Sequence, residues 1–203
     1  MPTIYAPDAE AIEEVIAERK ARGLDRYDEV WEGEYVIMNV PANRHQKLVT
    51  RLSSALLLLV DEEAGDFVLS GANVSDRMDW QTNYRVPDVL VYRGDSPAED
   101  HGTFYLGGPD LAVEVVSPND RTYEKLDFYA AVGTRELIVI DKSYERLELY
   151  RLLDGVLTVV GTLTPDSNPI ATESIPLQWT LERIYRLRLV LTGRDQTRSV
   201  LID

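Results

Sequence analysis

Residues 111–116 read Leu111-Ala112-Val113-Glu114-Val115-Val116. An apolar run of this kind, continuous rather than alternating, predicts a strand covered on both faces at the centre of a sheet. Glu114 stands in the middle of it. An unpaired buried carboxylate is costly enough to demand a metal, a cation or a proton. It serves either a structural salt bridge with an arginine or a functional site, and we carry the functional reading forward.

Upstream, Pro87-Asp88 opens a second continuous apolar strand, Val89 to Tyr92. Asp88 reads as a polar strand end or as a carboxylate facing a site. Downstream, Ser117-Pro118-Asn119-Asp120 is rich in turn and cap formers. It leads into a helix predicted over 122–132 and ended by Gly133. Lys125 lies on the first turns of that helix, where a strand, a short loop and a helix start can return it over the strand's end. A lone helical lysine is a solvated charge; beside two carboxylates it becomes a third member of a set. Two carboxylates can hold a divalent ion that lowers the pKa of a bound water, and a lysine can orient that water and offset developing charge. Aspartate, glutamate and lysine suffice for phosphodiester hydrolysis.

Further out, the pattern predicts an N-terminal helix over 8–22, with Ile12, Val15 and Ile16 at helical spacing. A hairpin follows from Glu29-Val30-Trp31 through Glu32-Gly33 to Tyr35–Met38. A second helix is expected over 44–63, with Leu48, Leu52, Leu56 and Leu59 on one face, Asn43 as cap and Gly65 as stop. Short strands are expected at 67–70 and near Val74, a polar loop over 94–109, and a strand over 137–140. A hairpin joins 146–151 to 156–162 through Asp154-Gly155. The stretch after Pro165 reads as less regular. The expected organisation is one mixed α/β domain over residues 1–192 and a polar tail over 193–203.

Composition narrows the chemistry. The chain has 203 residues and no cysteine, which excludes disulfides, thiolate zinc and a cysteine nucleophile. Its two histidines, His45 and His101, exclude a histidine-rich metal site, so any metal is held mainly by oxygen, favouring Mg2+ or Mn2+. No stretch reads as a signal peptide or a membrane span, and the expectation is a cytoplasmic protein without membrane contact. The net charge of −14 opposes broad nucleic-acid binding, so such binding needs a local basic patch or a metal at the site.

Pro87-Asp88, Glu114-Val115-Val116-Ser117-Pro118, Lys125-Leu126-Asp127-Phe128-Tyr129 and Gly133-Thr134-Arg135-Glu136-Leu137 together resemble the Uma-type family, grouped with restriction endonucleases in the PD-(D/E)xK nuclease superfamily. The resemblance extends to Glu29-Val30-Trp31-Glu32-Gly33 and His45-Gln46 upstream and to Leu147-Glu148-Leu149-Tyr150 downstream, spanning roughly residues 27–162. It implies a restriction-endonuclease-like mixed β-sheet flanked by helices, with an added β-hairpin and with metal carboxylates on neighbouring central strands. Asp88 and Glu114 match the two acidic positions. The superfamily's usual lysine position is Val116 here, and Lys125 matches the lysine that replaces it on the following helix. Glu29 matches a further acidic residue, while Glu32, beside Gly33, reads as a turn residue. His45 matches a family histidine, to contact phosphate or carry protons, or simply packs at its helix start. Asp120 reads as a helix cap before a ligand. Tyr84-Arg85 reads either as ordinary strand or as a base stack and phosphate contact.

What the resemblance implies is a metal-dependent nuclease acting on DNA or RNA, DNA ahead of RNA. Mg2+ or Mn2+ would be held by Asp88, Glu114 and the backbone carbonyl of Val115, with Glu29 as a further candidate, and Lys125 would orient water. The competing reading is a catalytically silent nuclease-fold protein that binds or assembles. It draws on the acidic charge and the displaced lysine. A hydrolase of small phosphoesters stands third. A homodimer is the default oligomer.

Overall fold

The computed structural model describes residues 9–38, 40–117, 121–183 and 185–202, with residues 9–12 described by backbone alone. Pro118, Asn119 and Asp120, and with them the expected Asp120 cap, lie outside the described residues. Three sheets and three α-helices, α1 (Ala9–Ala21), α2 (Asn43–Leu57) and α3 (Leu126–Ala131), build the described chain. The architecture is the expected mixture of α and β.

The central sheet runs in the order Val156–Leu163, Leu147–Leu153, Glu136–Ile140, Leu111–Val115, Val89–Tyr92, Phe67–Leu69. Only Leu111–Val115 and Glu136–Ile140 pair in parallel, in register from Leu111↔Glu136 to Val115↔Ile140; the other neighbours are antiparallel. A parallel pair needs a crossover, and the turn Thr122–Lys125 with α3 supplies it. The continuous apolar runs are explained by cover on both faces. Val89, Val91, Val113, Val115, Ile138 and Ile140 pack on one side against Leu48, Leu52 and Leu56 of α2 and against the C-terminal sheet. Leu90, Tyr92, Ala112, Leu137 and Val139 pack on the other side against Phe128 and Tyr129 of α3. Each such side chain contributes about 1.5–3 kcal/mol by leaving water. Alternation assigns Glu114 to the α3 side.

A second sheet, Glu34–Val36, Glu29–Trp31, Tyr84–Arg85, Val74–Ser75, Tyr105–Leu106, Glu99–Asp100, carries the early hairpin. Glu32 and Gly33 have φ of 48° and 88°, the left-handed pair that a two-residue hairpin turn requires. Two strand pieces therefore sit within 94–109, read from the sequence as loop only.

The C-terminal region corrects the sequence reading most. Ile170–Thr172, Leu177–Arg183, Leu187–Thr192 and Thr197–Leu201 form a four-stranded antiparallel sheet, so neither the stretch after Pro165 nor the expected tail is irregular. Leu177, Trp179 and Leu181, then Leu187, Leu189 and Leu191, alternate inward, and Val200 and Ile202 at the end are buried too. A strand needs only every second residue to be apolar, which leaves the last one polar in composition. α2 also differs: Ala42, not Asn43, occupies the N-cap without a side-chain bond, and the helix ends at Leu57. Gly65, at φ 89°, closes the separate 3-10 turn Glu62–Ala64 instead.

Candidate active site

Asp88 immediately precedes the strand Val89–Tyr92. Extending the pairs Leu90↔Ala112 and Val89↔Val113 by one residue sets Asp88 opposite Glu114. The Asp88 carboxylate is fixed from two directions. Oδ2 accepts the Val115 N–H at 2.8 Å, and Oδ1 lies 2.8 Å from Nε2 of His45 on the first turn of α2. Nδ1 of His45 meets the Ser117 hydroxyl at 3.4 Å. The Asp88 side chain keeps 21% of its surface exposed, so this edge of the cluster faces solvent.

Glu114, Glu29 and Lys125 lie deeper. Lys125 ends the 3-10 turn, and its ammonium donates to Oε1 of Glu29 at 2.9 Å and to Oε1 of Glu114 at 3.0 Å. The lysine side chain is only 2% exposed, a burial that for an ammonium demands such partners. Glu29 also accepts the Trp31 indole N–H at 2.7 Å and the Val86 N–H at 2.8 Å, so both its oxygens are engaged. Glu114 further accepts a short hydrogen bond from the Tyr129 hydroxyl. Glu32, by contrast, is the exposed turn residue, tied to Asn83.

The charge balance is uneven. Burial pushes the Glu114 carboxyl up, to about 8. Lys125 opposes this, the charges of Asp88 and Glu29 add to it, and the Tyr129 hydrogen bond pulls back down. Tyr129 is pushed well up, first by burial and then by Glu114. The site thus gathers carboxylates in excess of the cation that bonds them, a balance that favours a proton on Glu114.

The structure brings together Glu29, Glu114 and Lys125 in one bonded group, with Asp88 and His45 adjoining it through Val115. Among the described residues, no three His, Asp or Glu side chains alone form a metal cage. Arg85, read as strand or phosphate contact, is enclosed. Its guanidinium lies 4.6 Å from the Trp31 ring and 4.2 Å from that of Phe128, and donates to the Val30 carbonyl at 2.9 Å. Sequence reasoning left out Tyr129 and Trp31. Both had a signal: Tyr129 stands four residues after Lys125, on the same helical face, and Trp31 two after Glu29, on the same face of its strand.

A mixed sheet with one parallel pair at its centre and helices on its faces agrees with the restriction-endonuclease-like fold that the resemblance implies. The chain belongs to the Uma2 family, described as "Putative restriction endonuclease", whose model matches residues 14–184. It is similar to an uncharacterized protein, slr1290, of Synechocystis sp., with 24% identity over 163 residues, 78% of this chain and 83% of that one. Its fold is similar to the crystal structure of a putative nuclease belonging to DUF820 from Anabaena variabilis. There the TM-score is 0.60 at 18% identity, covering 73% of this chain and 83% of the other. Among the described residues, no helix is long and apolar enough to cross a membrane.

Proposed function

We propose that the protein is a metal-dependent nuclease that hydrolyses phosphodiester bonds of DNA. The observation that carries this reading is geometric: Asp88 stands opposite Glu114 on paired strands, and Glu114 shares the buried Lys125 with Glu29. Family membership supports it.

The donor set suits a hard divalent cation. Asp88 and Glu114 offer carboxylate oxygens and the Val115 carbonyl is the candidate third donor, with water completing the shell of Mg2+ or Mn2+. When bound, such an ion supplies charge neutralisation at the phosphate and an acidified water. The chain's own residues do the rest. Trp31 and Val86 hold Glu29, Glu29 holds Lys125, and Lys125 presents its ammonium beside Glu114, where it can orient water and offset negative charge. Tyr129 fixes the Glu114 carboxylate from the α3 side. His45 keeps Asp88 from turning away.

The test is cleavage of supercoiled and linear DNA in Mg2+ and in Mn2+ by wild type, Asp88→Asn and Glu114→Gln. Cleavage by wild type that both substitutions reduce at least about 100-fold is expected. Folded wild type that binds neither metal nor cuts DNA or RNA would instead favour a silent nuclease-fold binding protein.

A further inference from the structure

An acidic cluster in a chain of net charge −14 cannot by itself draw a polyanion to the site, so the grip on DNA must come from elsewhere on the surface. Helix α2 reads NRHQKLVTRLSSALL, with Arg44, Lys47 and Arg51 and no carboxylate. Leu48, Leu52 and Leu56 take its buried side. The three cations, spaced i, i+3 and i+7, are all exposed on the opposite face, with Thr50 and Ser54 beside them.

Several arginines elsewhere in this molecule pair with acid: Arg19 with Asp28, Arg77 with Asp76, Arg93 with Asp95, Arg121 with Glu124, Arg151 with Glu136. Those on α2 do not. Among the described residues, the guanidinium of Arg44 lies 4.1 Å over the Tyr144 ring, and that of Arg51 donates to the Leu201 carbonyl at 2.8 Å. Neither contact cancels charge.

The face continues onto the last strand. Arg198 and Ser199 of Thr197–Leu201 close a recess of about 360 Å³ with Thr50, Arg51 and Ser54. Arg198 donates to the Gln196 side chain and the Thr197 carbonyl, while its buried Nε has no partner among the described residues. At the other end, Arg44 precedes His45, whose ring bonds Asp88. The face therefore begins at the acidic cluster. From Arg44 to Arg51 the helix advances about 10 Å, over which one DNA strand presents about three phosphates.

We infer that the solvent face of α2, with Arg44, Lys47 and Arg51 and extended by Arg198, holds the sugar–phosphate backbone of double-stranded DNA and leads it to Asp88 and Glu114. This rests on the nuclease reading above. The cations neutralise successive phosphates, and the hydroxyls of Thr50, Ser54 and Ser199 add neutral donors.

The experiment is fluorescence anisotropy with a fluorescein-labelled DNA duplex of about 20 base pairs, titrated over a range of salt in Mg2+. The protein is the full chain carrying Glu114→Gln, alone, with Lys47→Ala/Arg51→Ala, or with Lys20→Ala/Arg22→Ala on and just beyond the last turn of α1. The α2 pair is expected to lower the slope of log affinity against log salt by about 2, and the α1 pair to leave it unchanged. All of these positions except Glu114 are exposed, and circular dichroism verifies the fold. Equal slopes for the two pairs, or no binding by Glu114→Gln alone, would overturn the track. The probe is recovered and run on a gel: cleavage by Glu114→Gln counts against the catalytic assignment instead, whatever the slopes.

Discussion

Glu114 and Glu136 are both buried glutamates on the two parallel central strands, at opposite ends of the sheet. Their surroundings differ. Glu136 accepts two hydrogen bonds from Arg151, at 2.9 and 3.0 Å, two backbone N–H bonds from Glu173 and Ser174 at 2.8 Å, and the Ser174 hydroxyl at 2.7 Å. Beside it, buried Asp110 accepts the Arg93 N–H at 2.9 Å and faces Arg135 at 3.2 Å. That end is balanced, and ties the central sheet to the C-terminal one. At the other end Glu114 and Glu29 share one lysine, and the charge of Asp88 acts on Glu114 as well. A buried carboxylate is therefore not diagnostic by itself. The uncompensated charge around it separates the two ends, and the proposed site rests on that difference.

The contrast can be broken by exchanging the outcomes of matched substitutions. Glu136→Ala should cost about 3–5 kcal/mol in denaturant unfolding, since it leaves three donors unpaired and takes from Arg151 its buried partner, leaving it the exposed Glu173, while the remaining folded protein cleaves normally. Glu114→Gln should do the reverse: unfolding within about 1 kcal/mol of wild type, because a neutral amide replaces a carboxyl whose charged form burial already disfavours, with cleavage reduced at least about 100-fold. If Glu136→Ala abolishes cleavage in folded protein, or Glu114→Gln unfolds the chain, the two ends are not distinct in kind.

Smaller effects sharpen the picture. Tyr129→Phe removes the donor to Glu114 and should lower stability by about 1–2 kcal/mol, measured by urea titration. Cleavage should fall far less than in Glu114→Gln. The pH dependence is a slope and the mildest effect. With chelator present, the folded chain holds a proton on Glu114 up to about pH 8, whereas the unfolded chain releases it in the ordinary carboxyl range. This contribution to stability is complete at low pH and is lost as pH rises towards 8. Glu114→Gln should flatten that part of the profile; an unchanged slope would place the proton elsewhere.

Some of this was open to a reader of the sequence. Val89–Tyr92, Leu111–Val115 and Glu136–Ile140 could be found because strands buried on both faces must be apolar throughout. Glu114 stood out against that background, and Pro87-Asp88 and Lys125 gained meaning from their order along the chain. The C-terminal sheet was missed because its edge strand, Thr197–Leu201, presents a polar face and buries little more than Val200. Glu136 was given no role of its own because it sits at the start of an apolar run, where a strand end explains a charge as well as a site does.

The sequence alone limited the kind of chemistry: no cysteine, two histidines and an ordered set of Asp88, Glu114 and Lys125 leave oxygen donors and one ammonium as the groups on which the proposal draws. Residue type sets which bonds a side chain can make, and that is local. Tertiary structure alone decided who bonds whom. It brought Glu29 to Lys125 across 96 positions and His45 to Asp88 across 43, and separated the balanced Glu136 from the unbalanced Glu114. Burial and charge compensation are sums over neighbours in space, and strand pairing with helix packing chooses those neighbours.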